Sequence, residues 1–237
     1  MNKNKKGEKS KGKVVAVANQ KGGAGKSTLA TNLAVMFASD KNKVLLIDAD
    51  TQQNTSLRWH ADRAQYENNV ANLDVCGLTA RNLLPSTQSF RNQYDYIIID
   101  GGARITAEAH AAVGAADYLI VPVKAVKADV DSTAGFLEVV AQSMEIRDDL
   151  VAGILINEVN ERTSLAKSMI EELRAFEDSF GIFEQRIGSY QAFRDAISSG
   201  LGVIELGDRS SEKAANQMRA FYKELKGEMK KDGNEKN

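Results

Sequence analysis

Two lysines, three glycines, a serine and a threonine fall together in Lys21-Gly22-Gly23-Ala24-Gly25-Lys26-Ser27-Thr28. This combination suits the binding of phosphate groups. Glycines carry no Cβ, so backbone N–H groups can turn inward around phosphate oxygens without a clash. The residues 27–38 have helical spacing, and a helix starting there aims its positive dipole end at the same anion. Lys26 is then placed to neutralise the β- and γ-phosphates of a nucleoside triphosphate. The Ser27 hydroxyl is placed to ligate Mg2+, and Thr28 to reach the α-phosphate. The expected ligands are ATP and magnesium.

Carboxylates follow two other apolar runs. Val44-Leu45-Leu46-Ile47 leads into Asp48-Ala49-Asp50. Residues at i and i+2 of a strand point to the same face, so this pair can hold water and metal opposite the phosphate loop. Tyr96-Ile97-Ile98-Ile99 ends in Asp100, a second candidate for magnesium, directly or through water.

These residues need a scaffold that brings strand ends together. Residues 14–18, 44–47, 96–99, 118–123 and 151–156 are continuous apolar runs. Continuous rather than alternating apolar character marks strands buried on both faces, as in a parallel sheet. Residues 27–38, 106–115, 132–144 and 164–176 have helical length and spacing. The alternation predicts a single-domain α/β fold, a mainly parallel doubly wound sheet with helices on both faces. Such sheets bind ligands beyond the carboxyl ends of their strands, where the lysines and aspartates lie.

Composition narrows the class. The chain has 237 residues, 43% hydrophobic and 27% charged, with net charge −1, so nucleic-acid binding would need a local basic patch. No apolar run approaches the ~20 residues of a membrane helix. Six lysines before Val14 without an apolar stretch are not a secretory signal. Cys76 is the one cysteine, which excludes an intrachain disulfide and fits a reducing cytoplasm. His60 and His110 are the only histidines, and neither adjoins a nucleophile-like turn. The expected organisation is a lysine-rich segment 1–12, an ATPase domain 13–229 and a polar tail 230–237.

The phosphate loop departs from GxxxxGK[ST], because Gln20 stands where the first glycine belongs and a second lysine, Lys21, follows. In this it resembles the deviant Walker A motif KGGxGK[ST] of the ParA/MinD superfamily of P-loop NTPases. It is most similar there to the short partition ATPases that segregate plasmids and chromosomes. The resemblance implies that Lys21 reaches across a face-to-face homodimer to the partner's ATP, in the manner of an arginine finger supplied in trans. Asp48-Ala49-Asp50-Thr51-Gln52 is similar to the family's DxDPQ, with Thr51 in place of proline. That similarity gives Asp50 the orienting or activation of the attacking water, with Asp48 as support. Lys21, Lys26 and Asp50 are thus the implied catalytic residues. Gly101-Gly102 follows Asp100 where a proline-containing turn is common. Asn157 matches an asparagine that reads the adenine edge. Residues 193–196 and 200–203 resemble a late segment near the base and dimer face.

The resemblance also implies partners: a homodimer with ATP, nonspecific DNA, and a ParB-like or other activating adaptor that speeds a weak hydrolysis. Ala214, Met218, Phe221 or Tyr222, Leu225 and Met229 give residues 209–230 one apolar helical face. Arg219, Lys223, Lys226 and Lys230 form a basic stripe suited to DNA phosphates. MinD relatives end in an amphipathic membrane helix, whereas residues 230–237 are polar or glycine. The expectation is therefore DNA rather than membrane, and a cytoplasmic, nucleoid-associated protein. A membrane-cycling positioning ATPase and a metabolic P-loop phosphotransferase are the alternatives.

Overall fold

Each of the five long apolar runs forms a strand. In the computed structural model, which describes residues 11–66, 70, 72–102, 107–177 and 179–235, these are β1 (Lys13–Val17), β2 (Val44–Asp48), β4 (Tyr96–Asp100), β5 (Tyr118–Lys124) and β6 (Val151–Asn157). Two further strands, β3 (Leu73–Gly77) and β7 (Gly181–Ile182), lie at the edges. The sheet order is β3-β2-β4-β1-β5-β6-β7, and every pairing is parallel. The helices are α1 (Lys26–Ser39), α2 (Thr55–Arg63), α3 (Ala80–Phe90), α4 (Ala107–Ala115), α5 (Lys127–Ile146), α6 (Ser164–Arg174), α7 (Gln191–Ser198) and α8 (Glu212–Glu235). The lysine-rich segment lies outside the described residues up to position 10.

Period-2 alternation of side chains divides the core between the two faces of the sheet. Val14 and Ala16 join Leu83, Ala109, Phe136 and Met169 of α3 to α6. Val15 and Val17 join Leu33, Trp59, Phe193 and Phe221 of α1, α2, α7 and α8. The expected apolar face of α8 is buried through Met229. The helix itself continues to Glu235, with Lys231 Nζ 2.8 Å from Glu228 at i,i+3. Among the described residues no helix is long and apolar enough to cross a membrane.

The central position of β1 decides where a ligand can sit. After β1 the chain turns toward β2, and after β5 toward β6, on opposite sides. Loops that diverge this way leave a crevice at the carboxyl ends of the strands. Asn19 follows β1 at that point, and α5 begins just beyond β5.

Phe37 ties α1 to this sheet. Its ring stacks on Tyr96 of β4 at 4.1 Å between centroids and meets the edge of Tyr222 of α8 at 4.8 Å. It is fully buried. Phe37→Ala should destabilise the protein by about 3–5 kcal/mol, read as a lower midpoint in urea with an unchanged slope.

Candidate nucleotide site

The loop after β1 turns through two left-handed glycines, Gly23 at φ 74° and Gly25 at φ 92°. A Cβ at Gly25 would collide with the Asn157 amide. Helix α1 then starts with no side-chain cap and no acidic residue in its first turn. Its leading N–H groups are left for an outside acceptor, the arrangement that suits a phosphate.

Two asparagines fasten the loop. Asn19 is fully buried and donates from Nδ2 to the Pro122 carbonyl at 2.8 Å and to Thr133 Oγ1 at 3.0 Å. Its Oδ1 accepts from the Lys21 N–H at 3.1 Å. Asn157, at the end of β6, donates from Nδ2 to the Ala24 carbonyl at 2.8 Å. One donor of the expected base-reading amide is therefore committed to holding the loop. Asn157 also lines a small recess beside Thr28, with Tyr190, Phe193 and Arg194.

Lys26 is buried, and its Nζ donates to the Lys21 carbonyl at 2.9 Å. Burial pushes its pKa down, against the raising fields of Asp100 and Asp50. Lys21 points elsewhere. Its side chain is 37% exposed, with Nζ 3.5 Å from Oδ1 of Asp129 in the first turn of α5.

Parallel register puts Asp48 directly beside Asp100. Asp48 is a buckle: its carboxylate accepts from the N–H groups of Asp50 at 3.0 Å and Leu57 at 3.1 Å. Burial raises its pKa. Asp50 Oδ1 accepts from the N–H groups of Gln52 at 3.2 Å and Gln53 at 3.0 Å. Its carboxylate is thereby oriented without proline at position 51. Asp100 is fully buried. Its Oδ2 accepts from Ser56 Oγ at 2.7 Å, and its Oδ1 is a buried acceptor without a hydrogen-bond partner among the described residues. Burial raises its pKa to about 7, with Asp48 adding, while the Ser56 and Ser27 hydroxyls and the Lys26 ammonium oppose. A buried carboxylate oxygen with no donor, influenced by a serine hydroxyl, fits a hard cation that takes oxygen ligands. Gly101 follows where β4 closes on β1: a Cβ there would stand 2.9 Å from both the Val17 carbonyl and Ala18 Cβ.

The structure thus gathers the loop 21–28, Asp48, Asp50, Asp100 and Asn157 at one crevice. Asn19, Ser56, Thr133 and Asp129 belong there too, and sequence reasoning missed them, since each acts across the fold on a partner in another element. Of the expected basic stripe, Arg219, Lys223 and Lys230 are exposed. Lys226 instead pairs with Asp40 at 2.5 Å. Residues 200–203 lie away from the recess: the Val203 N–H bonds to Asn32 of α1, and Gly200 is packed on Arg63 of α2. Left-handed Gly200 lets the backbone come that close.

Residues 15–203 match the CobQ/CobB/MinD/ParA nucleotide binding domain, and the chain belongs to that family. It is 30% identical to the maintenance of carboxysome distribution protein A of Gloeobacter kilaueensis, over 92% of this chain and 96% of the relative. It is 27% identical to the sporulation initiation inhibitor protein Soj of Bacillus subtilis, over 84% and 93%. A solved ATP complex of a Cyanothece McdA variant has the same fold, with TM-score 0.72 at 21% identity, covering 92% of this chain and 97% of that one.

The raised pKa of Asp100 sets a pH dependence. In the metal-free protein its contribution to stability is full below 3.8 and is lost as pH rises through about 7. A magnesium ion held by Asp100 would need the ionised form, so its affinity for the nucleotide-loaded protein should rise between about pH 6 and about pH 8. Calorimetric titration should show that rise, and Asp100→Asn should weaken binding and flatten it.

Proposed function

We propose that this chain is an ATP-driven partition or positioning ATPase that closes into a face-to-face dimer on ATP and binds DNA without reading its sequence in that state. The observation that carries this reading is Lys21. It is a second lysine at the phosphate loop, part-exposed, and among the described residues its ammonium is paired with a carboxylate 3.5 Å away. A buried Lys26 already serves the loop from within. A lysine left at the mouth suits the phosphates of a second copy.

Within one subunit, the α1 amides and Lys26 bind and neutralise the phosphates. Ser27 and Asp100 would hold Mg2+, which supplies further charge neutralisation on the β- and γ-phosphates. Asp50, fixed by the amides of Gln52 and Gln53, orients the attacking water. Asp48 supports it. Hydrolysis is slow until an adaptor orders these loops, and it releases the DNA. Arg219, Lys223 and Lys230 offer exposed cations on α8 for phosphate contacts. The apolar residues Phe221, Leu225 and Met229 are buried against the sheet, which disfavours the membrane alternative for this helix. The relatives' names span carboxysome distribution and a sporulation inhibitor, so the cargo is a plasmid, a chromosome region or another large body.

Binding to sequence-unrelated duplex DNA at fixed salt is the test, with ATP-Mg2+, ADP-Mg2+ or no nucleotide, alongside light scattering for mass. DNA binding and dimer mass should appear only with ATP. Lys26→Ala should lose both along with nucleotide binding. Lys21→Ala should keep nucleotide and remain monomeric. Equal DNA binding without nucleotide, or an ATP-bound Lys21→Ala dimer, would overturn the reading.

A further inference from the structure

Helix α2 joins two places with different chemistry. Its first turn carries the aspartate contacts: Ser56 donates to Asp100, Leu57 donates to Asp48, and the Asn54 N–H just before it bonds to the Asp50 carbonyl at 2.9 Å. Its last turn carries Arg63, whose side chain is 3% exposed. Arg63 makes a two-pronged pair with Glu205, Nη1 to Oε2 at 2.8 Å and Nη2 to Oε1 at 2.7 Å. Nη1 also donates to the Gly200 carbonyl at 3.0 Å. The guanidinium lies over the Trp59 ring at 5.1 Å, and Trp59 Nε1 donates to the Leu201 carbonyl at 3.0 Å.

The same late segment grips α1. The Val203 N–H donates to Asn32 Oδ1 at 2.7 Å, and a Cβ on Gly202 would meet Val35 at 2.9 Å. Glu205 Oε2 also accepts from the Gly202 N–H at 2.7 Å, which closes the segment on itself. One short stretch, residues 200–205, therefore fixes α1 and α2 together. Helix α1 carries the phosphate loop at its start, and α2 carries the aspartate loop at its start.

A nine-residue helix is too short to be stable alone, so its position is set by what holds its ends. A buried ion pair adds little net stability compared with apolar packing, because desolvation offsets the attraction. What a planar fork on a carboxylate does supply is a defined geometry. We infer that Arg63 and Glu205 are a positioning pair: they set α2 against α1, and so set the Asp50 loop against the bound γ-phosphate for hydrolysis. Neither residue touches nucleotide. The hydrolysis part of this inference rests on the proposed function; the mechanical part does not.

Glu205→Gln removes the charge while leaving an amide oxygen for the Gly202 N–H. Trp59→Phe removes the bond to Leu201 and part of the ring beneath Arg63 while leaving the Arg63–Glu205 pair intact. Amide hydrogen exchange and steady-state ATP turnover are measured on the folded variants of the full chain. Exchange at Asn54, Leu57 and Arg58 should accelerate by about tenfold or more, while Leu29 in α1 keeps its protection. The turnover number should fall by about tenfold with ATP affinity held within about twofold. Arg63→Lys, which keeps the charge and loses the fork, should behave like Glu205→Gln. Unchanged exchange at 54–58, or equal loss at Leu29, would overturn the inference. A wild-type protein that does not hydrolyse ATP would sink the proposed function instead, and the pair would still be judged by exchange.

Discussion

Asp100 is carried to full burial by the strand that holds it, and a carboxylate there is costly unless its oxygens are matched. Its surroundings can be understood as responses to that cost. Ser56 supplies a hydroxyl to one oxygen, and to reach it α2 must begin directly beneath the strand end. Lys26 supplies a nearby positive charge, and for that α1 must begin beside β1. Asp48 adds a like charge from the register-matched position on β2. The remaining oxygen has no geometric hydrogen-bond donor among the described residues. Burial and Asp48 outweigh the two serines and Lys26, so the ionised form stays costly until a cation such as magnesium offsets it.

Lys21 and Lys26 stand five residues apart in the sequence and differ physically. Lys26 is buried and donates to the backbone of its own loop, at the Lys21 carbonyl. Lys21 stands at the rim, against Asp129 from the far side of the crevice. That carboxylate comes from a helix more than a hundred residues later, and it keeps the ammonium near the loop. Thr133 of the same helix bonds Asn19 at the loop's root. One face of α5 therefore sets both the base of the loop and the resting place of its exposed lysine.

The sequence pattern made the centre of the sheet legible and hid its edges. β1, β2, β4, β5 and β6 are covered on both sides and read as unbroken apolar runs. In β3 only Leu73 is buried, with Asp74 and Gly77 exposed, while β7 is two residues long. Helices α2 and α7 are only nine and eight residues long, and α3 carries Pro85 inside it, which reads as a break. The loop 21–28 was legible because its chemistry is local: adjacent glycines, lysine and hydroxyl. Asp48, Asp50 and Asp100 were legible as the ends of apolar runs. Asn19, Asp129, Ser56 and Arg63 were not, since a polar residue's importance here comes from a partner brought close only by folding. Residues 200–203 illustrate the limit: the resemblance set them near the base and dimer face, and the fold packs them on α1 and α2.

Helix α8 shows how burial narrows what a surface can do. Met218, Phe221, Leu225 and Met229 are occupied in the core, so the helix has only its outer face for partners. On that face Lys226 is drawn to Asp40, whose carboxyl it holds below the usual range together with Tyr222. Glu224 is turned inward to the N–H groups of Glu184 and Gln185. A face that reads in sequence as evenly mixed charge is therefore sorted by the fold. Glu224 is engaged by the backbone and Glu228 by Lys231, while the cations at 219, 223 and 230 stand exposed. Net charge near zero conceals that separation, because a phosphate backbone responds to the local field within a Debye length and not to the sum over the chain.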